Sequence, residues 1–274
     1  MKEQFSVLMS LYIKEKSEYF RQCMESVLHQ TAFPDEIVIV KDGPLTAELE
    51  SALAEYVAAD PNLYTIVPLE KNVGLGLALA EGIQHCRNEL VARMDTDDIA
   101  RPDRFEKQLA IFADDPDLDI CGSQIDEFEE SPDSIVARRV VPTTDSEIKA
   151  YQKRRDAFNH MTVMFKRSAV LKAGNYQPCP LMEDTYLWVR MMLSGAQCAN
   201  SGEALVCARI GKGMYERRGG WKYFLKYKEG RKKVYETGFI SRGDYDYTLI
   251  IQFVMALMPR KLRGFVFKKI LHRE

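Results

Sequence analysis

Leu90-Val91-Ala92-Arg93-Met94-Asp95-Thr96-Asp97-Asp98 is the stretch on which the reading of this chain turns. The apolar run Leu90–Met94 reads as a short buried strand, and three carboxylates crowd into the four residues after it. In open α/β sheets, ligands bind at the carboxyl ends of the strands. Carboxylates packed together repel unless something positive sits among them. A divalent cation with hard oxygen ligands, Mg2+ or Mn2+, answers that need and could hold a diphosphate. Taken alone, an Asp-x-Asp reads as a solvated loop capping the next helix; its surroundings decide otherwise.

Upstream, Phe5 to Leu11 reads as a first strand, with Ser10 and Tyr12 at its end, and Glu18 to Gln30 as a helix with Phe20, Met24, Val27 and Leu28 at helical spacing. Glu36 to Val40 is a strongly β-branched second strand that runs into Lys41-Asp42-Gly43-Pro44. Leu49, Leu53, Tyr56 and Val57 mark a second helix, Tyr64 to Leu69 a third strand, and Asn72-Val73-Gly74 a turn into a helix from Leu75 to Cys86. Strands alternating with helices predict βαβ units and a parallel, nucleotide-binding type of half-sheet. Downstream, Pro102 opens a helix through Phe105, Leu109 and Phe112, and Asp117 to Glu127 contains a fifth strand. Ile135–Val141, Met161–Lys166 and Ala204–Ile210 read as strands, and Asp145–Lys153 and Glu183–Ser194 as helices. From Lys212 on the pattern is helical and basic.

Each motif has a bland counterpart. Asp42 suits a base or ribose contact, yet Asp-Gly is a common turn signal. Gly74-Leu75-Gly76 superficially resembles a dinucleotide fingerprint, but it follows the third strand and reads as a tight turn into a packed helix. Glu183-Asp184 at a helix start favours the macrodipole, which explains one acid more easily than two. An exposed Asp184 there would suit a general base. His160 reads either as a structural hydrogen-bonder or as a metal ligand or acceptor contact.

In that order, these motifs resemble glycosyltransferase family 2 with the GT-A fold, an α/β fold whose mixed, mostly parallel sheet is flanked by helices. The likeness runs from about Phe5 to Ile210. It implies that Ser10, Tyr12, Asp42, Asn72, Arg93 and Asp95 line the nucleotide sugar. It implies that Asp97 and Asp95 hold Mn2+ or Mg2+, with His160 a further candidate ligand, and that Glu183-Asp184 is the catalytic acid pair, with Asp184 the base. Lys41 departs from the family's usual Asp-Asp-Gly-Ser. Arg93, the His160–Phe165 segment and the basic tail narrow the likeness to the amylovoran-type group of exopolysaccharide and O-antigen enzymes. That group implies a UDP-sugar donor, UDP-galactose first and UDP-N-acetylglucosamine or UDP-glucose next, and a lipid-linked acceptor. Neither a Q-x-x-R-W signature nor the membrane helices of processive synthases are present, so one sugar per encounter is expected.

The chain has 274 residues and 46% hydrophobic residues, enough for a full core. Its net charge of −2 is unevenly spread: residues 212–274 carry sixteen Lys/Arg against six Asp/Glu, a net of +10, on a body of −12. The expected division is a transferase domain over 1–211 and a basic helical extension over 212–274. The extension, and residues 260–274 above all, calls for an anionic partner; the membrane surface fits, and nucleic acid is not expected. Six cysteines without C-x-x-C spacing, set among apolar neighbours, read as reduced thiols of a cytosolic protein. No signal peptide is expected, because Lys14, Glu15 and Lys16 break the first apolar run. Tyr247 to Met258 is too short to span a bilayer. A sugar-phosphate nucleotidyltransferase is the rival enzyme, but no Gly-rich loop follows the first strand, where Tyr12-Ile13-Lys14-Glu15 stands. A degenerate, non-catalytic homologue is the second rival, and the intact acids at 95, 97 and 184 speak against it.

Overall fold

The structure, a computed structural model, describes residues 3–211, 219–259, 262, 263 and 266. Its first half is a βαβ progression: β1 (Phe5–Leu11), α1 (Ser17–Leu28), β2 (Glu36–Lys41), α2 (Ala47–Ala59), β3 (Tyr64–Pro68), α3 (Leu75–His85) and β4 (Leu90–Arg93). There follow β5 (Ile99–Ala100), α4 (Arg104–Asp114), β6 (Leu118–Phe128), β7 (Ile135–Arg139), α5 (Asp145–Gln152), a 3-10 turn (His160–Thr162), β8 (Met164–Lys166), α6 (Arg167–Lys172), α7 (Glu183–Leu193) and β9 (Gln197–Arg209). Two further helices, α8 (Trp221–Glu236) and α9 (Arg242–Leu257), complete the described chain.

All nine strands form one sheet in the order β3-β2-β1-β4-β8-β6-β9-β5, with β7 beside β6. The β1–β2, β2–β3, β1–β4 and β6–β9 pairings are parallel, and those of β8, β5 and β7 with their neighbours antiparallel. The central strands are buried on both faces, so their sequences are continuous apolar runs. Their alternation still sorts the side chains. Val7, Met9, Ile37, Ile39, Leu90 and Ala92 pack on one face against α1, α2 and α4. Leu8, Val38, Val40 and Val91 pack on the other against α3 and α7. Because β1, β2 and β4 are parallel, their carboxyl ends open on one edge of the sheet, and the acidic turn lies there.

The structure corrects several element bounds. The strand expected over Met161–Lys166 starts only at Met164. Thr162 turns its hydroxyl back to the Asn159 carbonyl at 2.8 Å and receives the Ser123 N–H at 2.9 Å, and this local bonding competes with a ladder. The last strand begins at Gln197 rather than Ala204, because β6 offers it a long parallel partner with register shifts near Ser123 and Gln124. The two-residue β5 and the short α6 were not foreseen.

The helices α8 and α9 pack against the body through Cys179, Met182, Val189, Val234, Ile240 and Tyr245. Polar ties join them to it as well: Arg154 Nε pairs with Asp244 at 2.6 Å, Lys233 donates to the Pro178 carbonyl at 2.8 Å, and Arg231 donates to the Lys153 carbonyl. Gly230 lies where α8 crosses the loop before α7, and a Cβ there would run into the Pro180 carbonyl oxygen. Helix propensity alone favours Ala over Gly by about 1 kcal/mol. Gly230→Ala is nonetheless expected to lower the melting temperature, because the backbone carbonyl cannot swing aside; a thermal melt with an unchanged or raised midpoint would contradict this contact.

Candidate active site

Asp95, Thr96, Asp97 and Asp98 leave β4 at the open edge of the sheet, and Asp98 N–H closes the turn on the Asp95 carbonyl. One carboxylate oxygen from each of Asp95, Asp97 and Asp98 lies within 4.8 Å of the others. Three arginines hold this crowd together. Buried Arg93 pairs through Nη2 with Asp95 at 2.5 Å. Buried Arg104 donates to the Arg93 carbonyl at 2.6 Å, under the turn. Arg209, at the end of β9, donates its backbone N–H to Asp98 at 2.7 Å and its Nε to the Asp97 carbonyl at 3.0 Å, and lies over the rings of Tyr19 and Phe128. From the loop after β1, Glu15 accepts the Thr96 hydroxyl at 3.1 Å.

The cations do not neutralise the turn completely. Burial, then Asp95 and Glu15, push the Asp97 carboxyl up to about 7. Burial, then Asp97 and Asp95, push Asp98 well above the usual carboxylate range. Burial first, opposed by hydrogen bonds from Lys16 and Thr96, leaves Glu15 raised too. Tyr12, which follows β1, is raised by burial and then by Glu15, Asp97 and Asp95. A site that favours protons on several clustered oxygens at neutral pH is electrostatically prepared for a cation. The all-oxygen donor set fits Mg2+ or Mn2+.

A second group of acids opens α7. Thr185 joins two carboxylates: its N–H donates to Asp184 at 2.7 Å and its hydroxyl to Asp156. The Asp184 side chain keeps 24% of its surface accessible. Burial, then Asp156 and Glu183, raise it to about 7. Glu183 lies against the start of α3, where a Cβ on Gly76 would come within 2.9 Å of its own Cβ. The glycine once read against a dinucleotide fingerprint therefore permits this close approach.

His160, expected as a structural hydrogen-bonder, a metal ligand or an acceptor contact, lies with the second group. Among the described residues the carboxylate cluster does not include it. Its Nε2 meets the Tyr176 hydroxyl at 2.7 Å, and its Nδ1 lies 3.9 Å from Asp184. Burial, then the charge of Arg93, drive its pKa well below the ordinary value, so the imidazole is neutral. Arg93 connects the two groups. Burial works against its charge, and Asp95 more than offsets it. Its Nε and Nη1 are buried with no hydrogen-bond partner among the described residues.

Asp42 and Asn72 are brought together, but toward each other. The Asp42 carboxylate accepts the Asn72 amide at 2.9 Å and the backbone N–H groups of Val73 and Gly74 at 2.7 and 3.1 Å. The contact seen is a clasp between the ends of β2 and β3. Lys41 pairs with Glu50 on α2 at 2.6 Å. Ser10 is half-buried near the end of β1. Sequence reading missed Glu15, Asp156, Tyr176 and Arg209. Glu15 was within reach, being three residues past Tyr12 in the loop after β1. Arg209 lies 112 positions from Asp97, and no local pattern announces the contact.

The family model for glycosyl transferase family 2 matches residues 6–172. The chain belongs to glycosyltransferase family 2. It is therefore a glycosyltransferase, and the nucleotidyltransferase reading falls. It is 40% identical over 268 residues to the amylovoran biosynthesis glycosyltransferase AmsE of Erwinia amylovora, covering 97% of this chain and 98% of the relative. It is 35% identical over 269 residues to the UDP-Gal:alpha-D-GlcNAc-diphosphoundecaprenol beta-1,3-galactosyltransferase of Escherichia coli, covering 98% and 97%. Among solved structures, the mannosyltransferase PcManGT of Pyrobaculum calidifontis, in complex with GDP-Man and Mn2+, superposes with a TM-score of 0.64 at 14% identity, covering 91% of this chain and 68% of that one. That likeness shows the shared GT-A fold.

The raised carboxylates set a pH signature that needs no substrate. Asp97 and Asp98 hold protons in the folded chain that the unfolded chain has released above about pH 4. Their contribution to stability is therefore fully present at acid pH and is lost as pH rises toward 7. Mn2+ is expected to raise the melting temperature more at pH 8 than at pH 5, because protons compete for the same oxygens. Asp97→Asn is expected to abolish most of the Mn2+ response. Equal Mn2+ shifts at both pH values would rule out the carboxylate cluster as the cation site.

Proposed function

We propose that this glycosyltransferase moves one hexose from a UDP-sugar to a lipid-linked saccharide, with inversion, in bacterial surface-polysaccharide assembly at the cytoplasmic face of the membrane. The observation that carries the reading is the pairing of an acid cluster at the sheet edge with a separate, partly exposed carboxylate raised to about 7 at Asp184. A base poised near the working pH is what deprotonating a sugar hydroxyl requires. UDP-galactose is the first donor to test, since the galactosyltransferase relative named above is aligned over nearly its whole length. UDP-N-acetylglucosamine and UDP-glucose come next, because hexose identity turns on single hydrogen bonds in the pocket.

Asp97, Asp95 and Asp98 are the residues that would hold the cation. A divalent cation held there supplies Lewis-acid neutralisation of the nucleoside diphosphate leaving group. The Nε and Nη1 of Arg93 are buried donors without a partner among the described residues. Asp184 accepts the proton of the acceptor hydroxyl while that oxygen attacks the anomeric carbon on the face opposite the diphosphate. The bond to the diphosphate oxygen breaks as the new glycosidic bond forms, so one displacement inverts the centre. Neutral His160, fixed by Tyr176, adds no positive charge beside Asp184 and leaves it basic.

Asp184 must be ionised to act, so turnover is expected to fall on the acid side with a pKa about 7 and to level off above it. Asp184→Asn is expected to lower kcat by at least ~100-fold, the scale of general-base catalysis, while UDP binding changes little. Residual activity near wild type, or a profile flat through neutral pH, would reject the assignment. A donor screen with Mn2+ or Mg2+ and an N-acetylglucosaminyl diphospholipid, following UDP release, tests the donor and acceptor together. UDP release that ignores the lipid would set the acceptor reading aside.

A further inference from the structure

The helices α8 and α9 form a hairpin whose outer side remains apolar. Along α9, Tyr247, Ile250, Ile251, Val254 and Leu257 follow one another at three- and four-residue spacing and are all exposed, Ile250 and Leu257 by 63% and 68%. The stripe continues onto α8. Exposed Phe253 meets the rings of Trp221 and Phe224, and Trp221 and Leu225 are themselves exposed. Apolar residues scattered singly over a surface are ordinary; a contiguous set on one hairpin marks a contact surface. Among the described residues no helix is long and apolar enough to cross a membrane. The set therefore calls for a surface to lie on.

The charge pattern selects the occupant. Lys222, Lys226 and Lys228 are exposed on α8 beside Trp221 and Leu225. In sequence, Arg217 and Arg218 precede the hairpin and Arg260 and Lys261 follow it, within the segment of net +10. An apolar stripe edged by lysines, with a tryptophan among them, fits the boundary between anionic headgroups and acyl chains. A second copy fits less well, because a two-fold contact would set the same lysines against one another.

We propose that the outer face of the α8–α9 hairpin is a docking surface for an anionic lipid membrane. It deepens the lipid-linked acceptor reading and rests on that reading for its purpose. The inner face of the same hairpin holds the loop before α7: Lys233 donates to the Pro178 carbonyl, Cys179 touches the Gly230 carbonyl, and Met182 packs with Val234. Glu183 and Asp184 follow directly. Docking thus brings the helix that carries the base to the lipid surface where a lipid-borne sugar arrives. The proposal rests on residues 221–257; the tail expected to meet the membrane, 260–274, lies outside the described residues except at 262, 263 and 266.

The test is sedimentation of the full chain with phosphatidylcholine vesicles, with and without phosphatidylglycerol. Wild type is expected to bind the phosphatidylglycerol vesicles and to dissociate in high salt. Ile250→Ser/Val254→Ser/Leu257→Ser is expected to weaken binding about tenfold or more, and Lys222→Glu/Lys226→Glu to remove the preference for phosphatidylglycerol. Circular dichroism and thermal melts of both variants are expected to match wild type, since the altered side chains are exposed. Transfer to a short-chain, water-soluble acceptor is expected to be unchanged. Binding that survives the triple substitution, or no binding by wild type, overturns the proposal. So does a concentration-dependent dimer that the triple substitution abolishes in the absence of vesicle binding. Because sedimentation needs neither donor nor acceptor, vesicle binding with no sugar transfer would sink the transferase scheme and leave the docking surface standing.

Discussion

The constraint on which the rest depends is the repulsion among the carboxylates that leave β4. Asp95, Asp97 and Asp98 share one small volume, and Glu15 leans in from the first strand's loop. Three arginines from three elements answer them. Arg93 and Arg104 are fully buried, an unusual fate for guanidinium groups and a costly one unless paired. Burial, then the neighbouring charge of Arg93, pull Arg104 down to about 9. The turn thus remains short of cations on its open side even though it is supported from beneath. That imbalance is what supports the proposal of a cation there rather than an inert salt-bridge cluster.

The second group of acids obeys the same electrostatics with a different outcome. Asp184, Glu183 and Asp156 crowd at the start of α7 with a neutral histidine, and Arg93, whose charge acts against the rise of Asp184, is already paired with Asp95. The carboxyls of Asp184 and of the β4 turn are thus both raised, by burial first and then by neighbouring acids. Arg93 stands between the two and couples them: its charge lowers Asp97, Asp98 and Asp184 alike. The α8–α9 hairpin fixes the loop before α7 on one side and turns an apolar stripe outward on the other, so Asp184 and the outer surface share one support.

Much of this was legible in the residues. Apolar runs separated by helical periodicities marked the βαβ half, since strands buried on both faces need continuous apolar sequence. Asp95–Asp98 and Glu183–Asp184 were legible because clustered acids are rare without a reason. The irregular half was harder to read. Thr162 breaks an apparent strand by bonding to its own backbone, and β9 starts early because β6 supplies a partner that no local pattern announces.

The sequence by itself determined the parallel half-sheet, the acids at its edge and the excess of basic residues at the C-terminal end, because each depends on neighbours in the chain. Tertiary structure decided their surroundings. It placed His160 with Asp184 instead of with the carboxylate trio, turned Asp42 onto Asn72, and brought Arg209 to Asp97 and Asp156 to Thr185. It also left Tyr247, Ile250, Ile251, Val254 and Leu257 exposed along α9 while burying Thr248, Gln252 and Met255. The physical reason is one of range. Propensity and periodicity act over a few residues, whereas electrostatics and burial act between whatever the fold brings within a few ångströms.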